Sequence, residues 1–354
     1  MRWRKTRKKA FRRFWKSAPP VGPASNVALV TIAIPTLAAD DALSACLNSL
    51  RAQTLSDFEV IVIDNSGQRS VCQVGVTVIA NERNVGFGAA VNQAFRHSSS
   101  PYFATLNDDT MVEPGWLSAL VLAMEHRPEI GMCAPRIVLA GDGRLDSAGM
   151  LVCADGSSKQ RGHLQPAAGY NRREEILLPS GCAALYRRAM LDEIGLFDEE
   201  FFLYCEDTDL GLRARWAAWE CVYVPEAMVE HRYSHSAGRA SPLKAYYVER
   251  NRLFVAAKNF PLPLLCLTPF YELARYFWHV WYALRGQGAA AAYRDSGNSG
   301  FDLLKYVLSA HFSLVKQWPR LWKQRKVLRR RLTSRQYRAL LRRYSVGPRQ
   351  VAEL

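Results

Sequence analysis

Apolar residues recur along the first part of the chain in two alternating patterns. Four continuous apolar runs predict strands that are buried on both faces, at 27–34, 58–64, 76–80 and 102–107. Helical spacing appears instead in the segments 42–53, 89–97 and 116–127. Asp40 or Asp41 can cap the first of these helices. The alternation predicts an α/β fold with a mostly parallel sheet flanked by helices.

The pattern changes after residue 130, where shorter β-like runs alternate with polar loops. A helix is expected near Glu206, followed by a strand at 221–225 and then by His231. Beyond residue 240, apolar runs are broken by charges and lead into a basic helical tail. The chain therefore divides into a basic segment with a linker at 1–25, an α/β domain at 26–240 and a helical, basic C-terminal region at 241–354.

Charge is segregated between the middle and the ends of the chain. Residues 27–240 have a net charge of −10 and the remaining residues have +25, which gives the formal total of +15. Segment 1–17 contains nine Lys or Arg residues with aromatic residues between them. Such segments are attracted to anionic lipid, so the ends predict binding to an anionic membrane surface, with a solvated tail as the alternative.

Binding to nucleic acid would also explain the basic ends, but it leaves the acidic middle unexplained and no nucleic-acid-binding motif is found in the chain.

A membrane-spanning helix is not expected. The longest uncharged stretch of the second half, 260–271, contains three prolines and is followed by Glu272 and Arg275. Aromatic and basic residues alternate in 274–285 and around Trp318 and Trp322, which predicts helices that lie in the membrane interface.

The expected compartment is the cytoplasm. The eight cysteines form no C-x-x-C pair and most lie in apolar runs, which favours buried, reduced thiols. The basic N-terminus is not followed by the apolar stretch of a secretory signal. Together with the basic ends, this predicts a protein that is peripheral on the inner face of the cytoplasmic membrane.

Polar residues follow the strands at one edge of the expected sheet. In open α/β sheets, ligands bind in the crevice at the carboxyl ends of the strands. The residues at these ends are Pro35, Thr36, Asp64, Asn107, Asp108 and Asp109. Carboxylates there can bind Mg2+ or Mn2+ together with substrate phosphates, and the alternative is an Asx-turn or a helix cap before Pro114.

Three further segments contain candidate catalytic, metal-binding or phosphate-binding residues. Glu206 and Asp207 lie at the start of a helix, where they either complement the helix dipole or supply a general base. His231 has a structural role unless it meets Asp109 in space. The glycine-rich turn at 84–88 opens a helix and can offer N–H groups to a phosphate.

In their order along the chain, these segments resemble the family 2 glycosyltransferases of the GT-A fold, in the rhamnosyltransferase-like branch. The segments that are similar to the family's motifs are IAIPTL, VIVIDNSG, NVGFGAAVNQAF and LNDDT. LNDDT looks like the L-N-x-D variant of the DXD metal motif. The block from PSGCAALYRR to VEHRYSHS resembles the acceptor-side region, and the whole match extends over about 27–236.

The resemblance implies a role for each matching residue. Asp64 would bind the nucleobase, and Asp109 and His231 would hold the metal. Asn107 stands where many relatives have the first Asp of the DXD motif, and Asp108 is at a variable position. Asp207 would be the acceptor base, with Glu206 beside it. The donor-site residues implied in this way are Pro35, Thr36, Asp64, Arg83, Asn84, Gly86, Asn107 and Asp108.

The implied reaction is the inverting transfer of a sugar, with rhamnose as the candidate, from a nucleotide-diphosphate donor. The acceptor would be a saccharide or a lipid-linked saccharide in cell-surface polysaccharide synthesis. Mg2+ or Mn2+ would neutralise the leaving nucleoside diphosphate, and Asp207 would deprotonate the acceptor hydroxyl. The alternatives are an inactive relative that acts as a scaffold and a basic nucleic-acid-binding protein.

Overall fold

A computed structural model describes residues 27–72, 75–125, 127–232 and 241–353. The expected membrane-binding segment at 1–17 lies outside these residues, as does the proposed domain boundary at 240. The strands are β1 (Val30–Thr36), β2 (Phe58–Asp64), β3 (Thr77–Ala80), β4 (Tyr102–Leu106), β5 (Thr110–Val112), β6 (Ile130–Leu139), β7 (Leu145–Ser147), β8 (Met150–Val152), β9 (Ser158–Gln160), β10 (Glu174–Ile176), β11 (Ala183–Arg187) and β12 (Glu220–His231).

Helices alternate with the strands and then follow one another in the C-terminal region. They are α1 (Asp41–Arg51), α2 (Phe87–His97), α3 (Trp116–Glu125), α4 (Arg188–Ile194), α5 (Glu206–Trp216), α6 (Pro242–Asn259), α7 (Leu262–Leu265), α8 (Thr268–Leu284), α9 (Gly288–Asp295), α10 (Gly300–Lys326), α11 (Ser334–Arg343) and α12 (Pro348–Ala352). Short 3-10 helices lie at Ala167–Gly169 and Glu199–Phe201.

Most strands form one mixed sheet in the order β10-β12-β6-β11-β4-β1-β2-β3. The neighbours β4, β1, β2 and β3 are parallel, and β12 is parallel to β6. Only β11 separates these two parallel groups, and it is antiparallel to both β4 and β6. Helices α1 and α3 pack on one face, and α2, α4 and α5 pack on the other. The predicted α/β class is therefore confirmed.

Local sequence explains why these elements form. The Asp40 side chain accepts hydrogen bonds from the backbone N–H groups of Ala42 (3.0 Å) and Leu43 (3.1 Å), so it caps α1 as predicted. In β1, Ile32 and Ile34 pack on one face of the sheet and Ala33 packs on the other, which requires the continuous apolar run seen in the sequence.

The C-terminal helices share a core with the α/β domain. Trp216 of α5 stacks on Tyr337 of α11 with a centroid separation of 3.8 Å, and both side chains are buried. Phe254 of α6 and Leu340 of α11 belong to the same apolar cluster. Because this cluster includes residues from α5, the C-terminal region packs directly against the helix that begins with the acidic pair.

A buried ionic network connects α6, α8 and the loop between β8 and β9. Arg252 on α6 contacts Glu249 and lies 2.6 Å from Glu272 Oε1 on α8. Arg275 on α8 lies 2.6 Å from Asp155 Oδ2 and 2.8 Å from Glu249 Oε2. All five side chains are buried. Glu272 and Arg275, which interrupt the apolar run in the sequence, are therefore structural ion-pairing residues.

Replacing Arg252 with methionine tests the importance of this network. The substitution leaves three carboxylates buried with less compensating charge, and breaking a buried ion pair costs about 3–5 kcal/mol. We expect the free energy of unfolding, measured in urea, to fall by about that amount. Arg144→Met is the control, because Arg144 forms an exposed ion pair of a kind that contributes about 0–1 kcal/mol. Equal losses in both variants would contradict this assignment.

Candidate active site

Asp109 and His231 meet at the carboxyl-end edge of the sheet. The short strand β5 pairs with the end of β12, and His231 lies opposite Thr110 in this pairing. His231 Nε2 consequently lies 3.2 Å from Asp109 Oδ1, and both side chains are buried. From the sequence, His231 was expected to have a functional role only if it contacts Asp109, and the structure shows this contact.

Asp146 is a member of this site that the sequence did not reveal. Its Oδ2 lies 2.8 Å from His231 Nδ1, and its Oδ1 lies 3.3 Å from His163 Nδ1. Burial raises the pKa of Asp146, but the hydrogen bonds with the two histidines outweigh burial, and the pKa is lowered. The only signal in the sequence is an acidic residue in the short apolar segment 145–152, which is weak.

The two ring nitrogens of His231 have different surroundings. Nδ1 faces the Asp146 carboxylate, while Nε2 faces Asp109. A carboxylate on one nitrogen fixes the ring and leaves the other nitrogen as a metal ligand, which is how metal-binding histidines are commonly supported. Burial lowers the pKa of His231, but the neighbouring Cys182 and the hydrogen bonds with Asp109 and Asp146 outweigh burial and raise it.

This donor set fits a divalent cation that is shared with a substrate. Among the described residues, no group of three His, Cys, Asp or Glu side chains is arranged to hold a metal ion. Asp109 offers an oxygen, and His231 offers a nitrogen once Nε2 has lost its proton, which metal binding would release. Mg2+ is usually held by one or two carboxylates together with substrate phosphates and water, so the two side chains match a site that a diphosphate completes.

The predicted donor residues of the first two strands also lie together. Thr36 is opposite Asp64 in the parallel pairing of β1 with β2. Asp108 follows β4, which is the neighbour of β1 on its other side. Burial raises the pKa of Asp108 to about 6, although the nearby Thr36 side chain opposes the shift. Asn107 donates its backbone N–H to Cys182 O (2.8 Å) at the same edge.

The carboxylate of Asp64 is engaged by the loop that follows β2. It accepts hydrogen bonds from Ser66 N (2.9 Å), Val71 N (3.0 Å) and Ser70 Oγ (3.4 Å). Burial raises the pKa of Asp64, but these hydrogen bonds outweigh burial and lower it. Asp64 therefore shapes this loop, and its contact with a nucleobase stays a prediction.

The glycine-rich turn contacts the segment before the acidic pair. Asn84 Oδ1 accepts a hydrogen bond from Gly86 N (2.9 Å), and Phe87 N donates to Phe202 O (2.8 Å). A Cβ atom on Gly86 would lie 2.4 Å from Phe202 O, and Gly86 has a φ of +87°. Glycine is thus required here for the approach of Phe202. Arg83 is exposed beside this turn, and the diphosphate contacts of these residues stay predictions.

Glu206 and Asp207 place two adjacent carboxyl groups in the first turn of α5, where each affects the ionisation of the other. Asp207 is half-buried, and it accepts hydrogen bonds from Gly181 N (2.8 Å) and Thr208 N (2.6 Å). Burial raises its pKa, although these bonds oppose the shift. Glu206 is buried, and among the described residues its Oε2 has no hydrogen-bond partner. Burial and the neighbouring Asp207 raise the pKa of Glu206 to about 8.

Two adjacent residues connect the acidic pair with the Asp109–His231 pair. Gly181 donates its backbone N–H to Asp207 (2.8 Å), and Cys182 O accepts a hydrogen bond from the backbone N–H of Asn107 (2.8 Å), two residues before Asp109. A Cβ atom on Gly181 would lie 3.3 Å from Asp207 Cβ, so the close approach favours glycine. The acidic pair and the Asp109–His231 pair are therefore connected through neighbouring residues at the same edge of the sheet.

Comparison with known proteins identifies the family to which the chain belongs. The family model described as glycosyl transferase family 2 matches residues 31–195. An N-acetylglucosaminyl-diphospho-decaprenol L-rhamnosyltransferase of Mycobacterium tuberculosis is 30% identical over 248 residues, which cover 61% of this chain and 80% of that protein. The chain belongs to glycosyl transferase family 2. Within the family, this glycosyltransferase is similar to the rhamnosyltransferase-like branch.

Solved structures confirm the GT-A fold of this family 2 glycosyltransferase. GalNAc-T7, determined with UDP, GalNAc and Mn2+, has a TM-score of 0.53 at 16% identity and covers 66% of this chain and 48% of its own. A mannosyltransferase from Pyrobaculum calidifontis, in complex with GDP-Man and Mn2+, has a TM-score of 0.50 at 16% identity. That alignment covers 89% of this chain and 90% of the mannosyltransferase.

Glu206→Gln tests the buried carboxyl group by a measurement of stability. Burial penalises ionised Glu206 in the folded state, so the wild-type protein loses stability as the pH rises from about 4.5 to about 8, by up to about 1.4 kcal/mol for each pH unit. Glutamine carries no such penalty. We expect the stability of the variant relative to wild type to increase across this range, as measured by urea unfolding at several pH values.

The control is Glu125→Gln, which makes the same chemical change at the exposed end of α3. If the stability difference between Glu206→Gln and wild type does not change with pH, or changes no more than in the control, the Glu206 carboxyl group is not held in its protonated form by the fold.

Proposed function

We propose that this protein is an inverting, metal-dependent glycosyltransferase that moves rhamnose from a nucleotide-diphosphate donor to a lipid-linked saccharide in cell-surface polysaccharide synthesis. The observation that carries the proposal is the pair of backbone hydrogen bonds made by Gly181 and Cys182, which connect the candidate base Asp207 with the segment that contains the candidate metal ligand Asp109. Rhamnose and the lipid-linked acceptor are supported by the similarity to the mycobacterial N-acetylglucosaminyl-diphospho-decaprenol L-rhamnosyltransferase.

On the donor side, the strand-end residues form the proposed nucleotide site. The shared edge of β1, β2 and β4 supports this role because it brings Thr36, Asp64 and Asp108 close to Asp109. The residues proposed to contact the donor are Pro35, Thr36, Asp64, Arg83, Asn84, Gly86, Asn107 and Asp108. Asp109 and His231 would hold Mg2+ or Mn2+, whose positive charge would neutralise the leaving nucleoside diphosphate.

On the acceptor side, the two carboxyl groups have different tasks. Glu206 retains its proton near neutral pH because its pKa is about 8. Asp207 is the member that can be ionised, since the N–H groups of Gly181 and Thr208 donate to it. Asp207 accepts the proton of the acceptor hydroxyl as the oxygen attacks the anomeric carbon from the face opposite the leaving group. An oxocarbenium-like transition state is expected, as in other glycosyl transfers.

The central test separates donor binding from transfer. A panel of nucleotide sugars identifies the donor through hydrolysis that depends on Mg2+ or Mn2+ and stops in excess chelator. We expect Asp109→Ala to lose metal-dependent donor binding. Asp207→Asn should retain donor binding but lose about 10²-fold or more in turnover, because it removes only the proton acceptor.

Asp142→Ala is the control for both variants, since Asp142 is exposed outside the site and its loss should leave binding and turnover unchanged. Full activity of Asp109→Ala would exclude it as a metal ligand. If Asp207→Asn abolishes donor binding while single-turnover chemistry survives, Asp207 is a donor ligand rather than the base. A wild-type protein without any donor hydrolysis would favour the scaffold alternative.

We further propose that the protein docks on the anionic inner surface of the cytoplasmic membrane through α8 and α10. None of the described helices combines the length and apolar character that crossing a bilayer requires. Each of these two helices instead exposes a row of large apolar side chains. On α8 they are Phe270, Leu273, Phe277, Val280, Trp281 and Leu284, and on α10 they are Phe301, Leu304, Leu308, Phe312 and Val315.

The two rows lie on neighbouring helices. Glu272 of α8 lies 3.0 Å from His311 of α10, and both helices line one cavity of about 280 Å³. Phe277 is 58% exposed and Phe312 is 71% exposed. An apolar helix surface beside basic residues is typical of helices that lie in the headgroup region. A lipid-linked acceptor would reach the protein from the same surface.

Phe277→Glu combined with Phe312→Glu tests this docking surface. The acidic side chains oppose insertion into an anionic interface, so we expect recovery of the protein with anionic vesicles to fall about tenfold while donor hydrolysis is retained. Leu122→Glu is the control, because Leu122 is also a large apolar residue at the surface, 49% exposed, but lies on α3. Removal of residues 1–17 should weaken the salt-sensitive part of the binding.

The measurement is vesicle co-sedimentation across a salt series. Equal recovery of wild type with neutral and anionic vesicles, or an equal loss in the Leu122 control, would contradict docking through α8 and α10.

A further inference from the structure

The segment that leads into the acidic pair has an unfavourable backbone conformation. Phe202, Tyr204 and Cys205 have φ values of +62°, +69° and +66°. Residues other than glycine rarely adopt this left-handed region, and it persists only when surrounding contacts hold it. Because Glu206 and Asp207 follow immediately, the same contacts set the direction in which both carboxyl groups leave the backbone.

Asn251 of α6 supplies these contacts. It is fully buried, and its side-chain Nδ2 donates to Phe201 O (2.9 Å), Leu203 O (2.8 Å) and Tyr204 O (2.7 Å). Three carbonyl oxygens require a donor, so the amide nitrogen must face the segment. Arg250 Nε donates to Asn251 Oδ1 (2.9 Å), which fixes the other end of the amide.

Helix α6 also holds the chain on the other side of the acidic pair. Asp209 accepts hydrogen bonds from Lys258 Nζ (3.0 Å) and Asn259 Nδ2 (2.9 Å). Asn251, Lys258 and Asn259 have the spacing of one helix face, i, i+7 and i+8. The opposite side of the segment is held by Phe87 N, which donates to Phe202 O. The acidic pair therefore lies between two attachments to a single helix.

We propose that Asn251 is a positioning residue for Asp207, acting through the backbone of 201–205. The inference rests on the proposed function, because it takes Asp207 as the acceptor base. Asn251 lies outside the residues 31–195 that match the family model, so the family match does not assign it this role. Without the amide donor, the turn relaxes and the Asp207 carboxylate leaves its productive position.

The test compares Asn251→Ala and Asn251→Asp with wild type. Both variants lack the amide donor, and the aspartate is nearly isosteric with asparagine. We expect kcat for transfer to fall about 10²-fold, since a displacement of about 1 Å can cost that much. The affinity for the donor should fall much less than kcat, because only the turn at 84–88, among the proposed donor residues, contacts the segment. Amide hydrogen exchange should become faster in peptides that cover 200–209 and stay unchanged in β1 and β4.

Leu340→Ala is the matched control for a general loss of stability, because Leu340 is a buried apolar residue of α11 whose side chain offers no hydrogen-bond donor to the carbonyl groups of the segment. At a temperature where the control and Asn251→Ala are equally folded, only the Asn251 variant should lose kcat. Equal losses of kcat, or a parallel loss of donor affinity, would overturn the positioning role. So would unchanged exchange at 200–209. Hydrogen exchange can be measured without catalysis. If the wild-type protein transfers no sugar but Asn251→Ala still exchanges faster at 200–209, the proposed function is refuted, while the contact between Asn251 and the segment is supported.

Discussion

The buried carboxylate of Asp209 connects the catalytic half of the molecule to its C-terminal helices. It lies two residues after Asp207, 2.9 Å from Arg213 Nε and 3.0 Å from Lys258 Nζ. Burial raises the pKa of Asp209, but the charges of Lys258 and Arg213 outweigh burial and lower it. A buried charge without such partners would cost several kcal/mol. The position of α5 therefore depends on α6, although α6 lies beyond the residues that match the family model.

The same requirement for charge pairing determines how α8 is oriented. Glu272 and Arg275 face the protein because their partners Asp155, Glu249 and Arg252 are buried there. Once these charged side chains face inward, the apolar side chains of the helix must lie at the surface. The exposed row on α8 is therefore a consequence of the ionic network. This reverses the usual amphipathic arrangement, in which the apolar face is the buried one.

The sequence predicted those features that depend on local pattern or on strand order. The bounds of β2 and the cap of α1 follow from short segments, and parallel strands bring Thr36 and Asp64 to one edge. Asp146 was not predicted because it acts through the pairing of the three-residue strand β7 with β6, and it contacts a histidine 85 positions away. Asn251 gives no local signal, since a polar residue in a helix usually faces solvent.

The geometry of the acidic pair is established before any substrate binds. Two adjacent carboxyl groups are unfavourable in a buried site, and three residues with positive φ add backbone strain. The N–H groups of Gly181 and Thr208 and the N-terminus of α5 offset the charge, and Asn251 offsets the strain. Because these compensating groups belong to the folded protein, Asp207 would require little reorganisation in its proposed role as the acceptor base. Such preorganisation would lower the barrier for the proposed proton transfer, at a cost to the stability of the fold.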